Sequence, residues 1–160
     1  MIWQFLSIFG DIQFWTGAAI ISVLFLFTIP KRARRHVAWF IFETLPAVII
    51  SWASTQSLKI LFKITRPCFG LTTCPTTYSF PSGHATVIFA GVTVLSLHYK
   101  DKRLTILLFI FACLVSLSRL MLNLHRIEDV VFGSVIGLLT GFLVQKAYIN
   151  YQKEIKEFVS

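Results

Sequence analysis

Between Asp11 and Lys31 the chain runs for 19 residues without a charge. A helix of about 20 apolar residues crosses the roughly 30 Å hydrocarbon core of a bilayer, so Ile12–Pro30 is a candidate span. Four more follow: Val37 to about Ile64, which carries only Glu43 before Lys59, then Ala85–Tyr99, Leu104 to about Leu124, and Val130–Gln145. The shorter ones reach spanning length once their polar flanks are counted. Composition agrees, because 56% of the 160 residues are hydrophobic and 14% are charged. A soluble domain carries about 25% charged residues to cover its surface. Soluble, disordered, collagen-like and disulfide-dense classes are therefore excluded. The expected fold is an all-α integral membrane bundle of about five transmembrane helices, forming a single domain over residues 1–160.

The net charge of +8 raises the question of nucleic acid, and the placement of the basic residues answers it. Ten of the fifteen form three clusters: Lys31, Arg32, Arg34 and Arg35; Lys100, Lys102 and Arg103; Lys146, Lys153 and Lys156. Each follows or separates long apolar runs, as cytoplasmic loops and tails do. No basic groove or motif remains for nucleic acid. With all three clusters cytoplasmic, residues 1–11, 65–82 and 123–129 lie outside, the N-terminus out and the C-terminus in. The first eleven residues lack Lys and Arg and so do not resemble a signal-peptide n-region. Trp3, Phe5, Ile8 and Phe9 there suit a short interfacial helix.

Several features within the spans have structural readings. Gly133, Gly137 and Gly141 leave one bare helix face, for packing against a neighbour in the same chain or against a second copy. Pro46 is expected to kink the second span. Glu43 is costly inside a span, and its cytoplasmic position favours pairing or snorkelling near Arg34 or Arg35 over chemistry. Ser51, Thr55 and Lys59 form a polar stripe, for interhelical hydrogen bonds or a headgroup track. His36 and His98, beside basic clusters at span ends, are expected to be solvated, and Cys113 to be inert packing.

The remaining polar residues collect on the outer face. Lys59 and Arg66 are seven apart, two helical turns, which puts both on one side of a helix that Pro67 then stops. A loop follows and closes with Phe80-Pro81-Ser82-Gly83-His84, where Ser82 suits an N-cap and the free N–H groups suit an anion. Span four ends in Ser118-Arg119, and a turn brings His125, Arg126, Glu128 and Asp129. His125 and Asp129 share a face if the last helix begins by residue 125. Three cationic side chains, a helix N-terminus, two histidines and a carboxylate suit a phosphate group. A metal cation would be repelled by the lysine and two arginines.

In order and spacing, Lys59-(six residues)-Arg66-Pro67, Pro81-Ser82-Gly83-His84 and Ser118-Arg119-(five residues)-His125-(three residues)-Asp129 resemble the complete three-part signature of the type 2 phosphatidic acid phosphatase superfamily. The family has typically six spans, against five plus an interfacial helix here. The resemblance implies a lipid phosphatase in which His125 attacks phosphorus, Asp129 orients His125, and His84 protonates the leaving group and then activates water. Lys59, Arg66, Ser82, Gly83 and Arg119 would hold the phosphate oxygens, with no metal or cofactor. Arg119 with Asp129 as a structural ion pair, and Ser82 as a mere cap, are the bland alternatives. Lys63 and Arg126 fall outside the signature, as solvated rim residues or headgroup contacts. Cys68 and Cys74 bracket the outer loop and, in an oxidising compartment, are expected to form a disulfide beside Arg66.

The expected partner is a membrane lipid phosphate entering from the bilayer of a bacterial inner membrane, with the site facing the periplasm. Short external loops leave room for a large headgroup and favour the lipid A 1-phosphatase type. Undecaprenyl diphosphate or phosphatidylglycerophosphate phosphatases, and a lipid phosphotransferase using the same site, are the alternatives. The sequence says nothing of oligomeric state.

Overall fold

The computed structural model describes residues 1–25, 30, 34, 38–70, 72 and 74–159, and among them every regular element is helical. Lys31, Arg32, Arg35 and His36 of the first basic segment lie outside the described residues. The elements are α1 (Ile2–Ile8), α2 (Ile12–Phe25), α3 (Leu45–Phe62), α4 (Gly83–Tyr99), α5 (Lys102–Met121) and α6 (Ile127–Val159). A π-helical turn, Phe40–Thr44, leads into α3. Pro46, at the start of α3, has no N–H to offer the carbonyl of Phe42, and the wider register absorbs that lost bond.

By length and composition, Phe40–Phe62, α5 and α6 can each cross a membrane. The pair α1 and α2, bent by 54°, passes the same test when taken together. At 17 residues α4 is shorter, about 26 Å at 1.5 Å per residue. It is the central helix: α3, α5 and α6 all pack on it, and Ala85, Val87, Ile88, Ala90, Val92 and Val94 are buried. A helix that is apolar all round belongs inside a bundle. Ile60, Leu61, Leu107, Leu139 and Leu143 stay exposed on the outer helices, where a lipid-facing surface requires apolar side chains.

The glycine face of α6 packs against α4 of the same chain. A Cβ on Gly133, Gly137 or Gly141 would lie 2.6, 2.3 or 2.7 Å from the carbonyl oxygen of Ser82, Thr86 or Ala90. Three bare positions therefore let two backbones touch, and the seam aligns the N-terminal ends of α4 and α6.

Other expectations are corrected. Helix α3 ends at Phe62, where Lys63 turns left-handed (φ 50°), so Arg66 belongs to the following loop and not to a helical face shared with Lys59. The Glu43 carboxylate accepts from Gln145 Nε2 (2.8 Å) and lies 3.4 Å from His98 Nδ1, while Arg35, expected near it together with Arg34, lies outside the described residues. His98 is thus part of a polar cluster and also stacks on Trp39, with ring centroids 3.9 Å apart. Ser51 and Thr55 are buried and bond back to carbonyls of their own helix, not across to another. Cys113 is exposed on α5.

Gly137→Ala should lower the melting temperature in detergent by several degrees, as overpacking costs about 1–3 kcal/mol. Gly17→Ala in α2 is the control, because an added Cβ there meets nothing within 4 Å, and it should leave the melting temperature unchanged or slightly raised.

Candidate active site

Aligned by the glycine seam, the first turn of α4 meets the turn that precedes α6. The C-terminal ends of α3 and α5 arrive at the same end of the bundle, where Arg66 and residues Thr77, Tyr78 and Ser79 of the following segment cover it. A cavity of about 130 Å³ is lined there by Lys59, Arg66, Gly83, His84 and His125. Arg119, Ser82 and Asp129 lie behind that lining, all of them buried.

Arg66 is the knot of the site. Its Nε donates to Thr77 O (2.8 Å), Nη2 to Thr77 Oγ1 (3.0 Å), and Nη1 to Leu124 O (2.9 Å). The same Nη1 lies 3.0 Å from His125 Nε2. One guanidinium therefore ties the covering segment to the turn that carries His125. Beside it, Lys59 Nζ donates to the carbonyl oxygens of Tyr78 and Ser79. An ammonium has three protons, so one remains to offer.

These contacts set the tautomer of His125. Arginine has donors and no acceptor, so the ring nitrogen facing Nη1 presents its lone pair. The proton then sits on Nδ1, facing Asp129 Oδ2 at 3.4 Å. Asp129 Oδ2 also accepts a bond from Ser79 Oγ and one from the Arg126 N–H at 2.9 Å. Helix α6 begins at Ile127, so His125 lies in the preceding turn and not on a helical face. It still meets Asp129 because the turn folds back over the first α6 residues. Burial pushes the His125 pKa down to about 4, with Arg66, Lys59 and Arg119 adding to the fall and the Asp129 bond opposing it. At neutral pH the imidazole is uncharged and its Nε2 lone pair is intact.

Two of the buried polar atoms without a partner belong to residues of this site. Ser82 occupies the N-cap position of α4, but its Oγ makes no capping bond and no other, and Arg119 Nε is likewise unpaired. Buried orphans of this kind are costly and fit a site shaped for an anion. Arg119 Nη1 donates to Ser7 Oγ of α1. Among the described residues, no three His, Cys, Asp or Glu side chains gather as a metal site would need. Lys63 and Arg126 are exposed at the rim. Cys68 and Cys74 are disulfide-bonded, with Cα atoms 5.5 Å apart, two residues from Arg66.

Four contributors escape sequence reasoning. Ser79 and Thr77 orient Asp129 and Arg66, yet nothing in their spacing marks them among the polar residues of the loop. Ser7 and Gly10 come from the N-terminal segment. A Cβ on Gly10 would lie 2.8 Å from His84 Cβ, so the α1–α2 turn rests directly on that histidine. Gly10, Asp11 and Ile12 therefore wall the cavity, while α1 reaches Arg119 through Ser7 and leaves Phe5 and Ile8 exposed.

A profile described as the PAP2 superfamily matches residues 42–153. The chain is 33% identical over 141 residues to an undecaprenyl-diphosphatase of Sulfolobus acidocaldarius, covering 87% of this chain and 66% of that one. It spans less than two thirds of the length of the curated relatives it matches. Among solved structures, a transmembrane PAP2 type phosphatidylglycerolphosphate phosphatase from Bacillus subtilis superimposes with a TM-score of 0.73 at 23% identity, covering 98% of this chain and 78% of that one. Aquifex aeolicus LpxE does so with a TM-score of 0.68 at 26% identity, covering 91% and 84%.

The tautomer and charge of His125 are open to direct test. In ¹⁵N-histidine NMR of the protein in detergent, His125 should stay neutral as the pH falls through 6.5 and take its second proton only near about 4. Arg66→Ala, which removes the nearest positive charge, should raise that midpoint.

Proposed function

Since the chain belongs to the PAP2 superfamily, we propose that it is a metal-independent membrane lipid phosphatase working through a phosphohistidine on His125. One observation carries this reading. A neutral imidazole, held at Nδ1 by Asp129, presents its Nε2 lone pair to Arg66 at the wall of a cavity that also contains Lys59, Gly83 and His84.

In the proposed reaction the phosphate enters among Lys59, Arg66 and the first N–H groups of α4, and Arg66 Nη1 turns from His125 to a phosphate oxygen. Nε2 attacks phosphorus, the P–O bond to the leaving group breaks, and His84 gives that oxygen a proton. The developing imidazolium is stabilised by Asp129, as the acid does in a serine triad. His84 then takes a proton from water, the hydroxide attacks phosphorus, and the P–N bond breaks to release inorganic phosphate. Splitting one displacement into two is the gain from the covalent intermediate. Fixed cations and the unpaired Ser82 Oγ and Arg119 Nε await the charge that spreads over the phosphate oxygens.

The proposed substrate is a lipid phosphate monoester or diphosphate, with lipid A 1-phosphate first because Lys63 and Arg126 are both exposed at the rim. Undecaprenyl diphosphate is the second reading, favoured by the 33% identity over 141 residues. The proposed location is the bacterial inner membrane with the site outward. In support, Lys100, Lys102, Arg103, Lys153 and Lys156 occupy the end of the bundle opposite His125.

Phosphate release by purified protein in EDTA, against lipid A, undecaprenyl diphosphate, phosphatidylglycerophosphate and phosphatidate, should proceed and rank the substrates. Arg66→Ala should lose about 10²–10³ in rate, and His125→Ala should lose nearly all of it. Activity that persists in His125→Ala contradicts the nucleophile. Transfer to a lipid alcohol without phosphate release would identify a phosphotransferase instead.

A further inference from the structure

The end of the bundle opposite His125 holds a larger cavity, about 780 Å³, between the start of the π-helical turn, the C-terminal end of α4 and the last turns of α6. Its deep wall is polar. Glu43 is buried there, and because a carboxylate only accepts hydrogen bonds, its 2.8 Å bond to Gln145 fixes the amide with Nε2 toward Glu43. The amide oxygen is left over: Gln145 is only 4% exposed, and its Oε1 has no partner. Trp39, 7% exposed, lines the same cavity, and its buried indole N–H has no partner. An orphan donor and an orphan acceptor together match a hydroxyl group, which is both.

The mouth is cationic. Lys100, Lys153 and Lys156 line it and are exposed. Helix α6 has 33 residues, about 50 Å at 1.5 Å per residue, so its last turns extend beyond the hydrocarbon core to headgroup level. The Glu43 carboxylate keeps a phosphate away from the deep wall, and the lysines attract it to the mouth. The cavity is thus polarised, with unpartnered polar groups inside and lysines outside.

We propose that this cavity binds the phosphate-linked polyol headgroup of an anionic phospholipid, with the phosphate on Lys100, Lys153 and Lys156 and a headgroup hydroxyl between Trp39 Nε1 and Gln145 Oε1. The site is distinct from the His125 cavity, which lies at the other end of α4 and α6, and does not depend on the reaction proposed there.

Native mass spectrometry of the detergent-solubilised protein tests it, with phosphatidylglycerol and phosphatidylcholine as probes. The wild type should retain phosphatidylglycerol at least fivefold over phosphatidylcholine. The Lys100→Ala/Lys153→Ala/Lys156→Ala variant, altered only at exposed positions, should lose that preference, and Trp39→Phe should weaken it. Arg66→Ala, at the other end, should keep it. Equal retention of the two lipids, a triple variant that behaves as wild type, or loss of the preference in Arg66→Ala overturns the proposal.

Discussion

Along one side of α4 the carbonyl oxygens of Ser82, Thr86 and Ala90 occupy the space that side chains at Gly133, Gly137 and Gly141 would fill. Everything at the site depends on this backbone contact. Helix α4 carries His84 at its first turn, and α6 follows directly from the turn that carries His125. With the seam closed, the Ser82 N–H donates to the Asp129 carbonyl at 2.9 Å, so the two helix starts are joined through the main chain. Ordinary helix separations of 8–10 Å would open the gap between the histidines. In a membrane, where apolar side chains gain little by leaving lipid, close packing of this kind is a principal source of helix association.

The second constraint is electrostatic. Lys59, Arg66 and Arg119 are all buried around one small cavity, an arrangement that desolvation makes costly unless hydrogen bonds compensate. Arg66 is compensated on every nitrogen, largely by main-chain oxygens, which position it without a counter-ion of its own and leave only its His125 contact to exchange in the proposed reaction. Arg119 is only partly satisfied, through Ser7. Such preorganised donors need little rearrangement when charge develops near them, the condition under which electrostatic stabilisation is largest. Burial keeps His125 neutral, and the same positive field adds to that effect, so one set of cations serves an anion and also supports the nucleophilicity proposed for its neighbour.

The residues of the signature are legible in the chain because each is a charged or polar group at the edge of an apolar run, where it is conspicuous. Their geometry is less so. Lys59 and Arg66 look like neighbours two helical turns apart, but a left-handed Lys63 ends the helix between them, and Arg66 reaches the site from a loop. Ser79 and Thr77 are short polar residues in a polar segment, and only the fold reveals that their hydroxyls are turned inward. Ser7 and Gly10 act over more than 70 residues of sequence, Ser7 on Arg119 and Gly10 on His84, through packing that no local pattern encodes. At the opposite end, His98 is indistinguishable in sequence from a solvated histidine beside lysines, until Glu43 and Trp39 are placed against it.

The covalent step at His125 can be isolated in His84→Ala supplied with a ³²P-labelled aryl phosphate whose leaving group needs no proton. Removing the residue that activates water should leave the first displacement intact and stall the second. A burst of aryl alcohol stoichiometric with protein is expected, with an alkali-stable, acid-labile label on the peptide that contains His125. Steady phosphate release with no burst and no label on that peptide would contradict the covalent step.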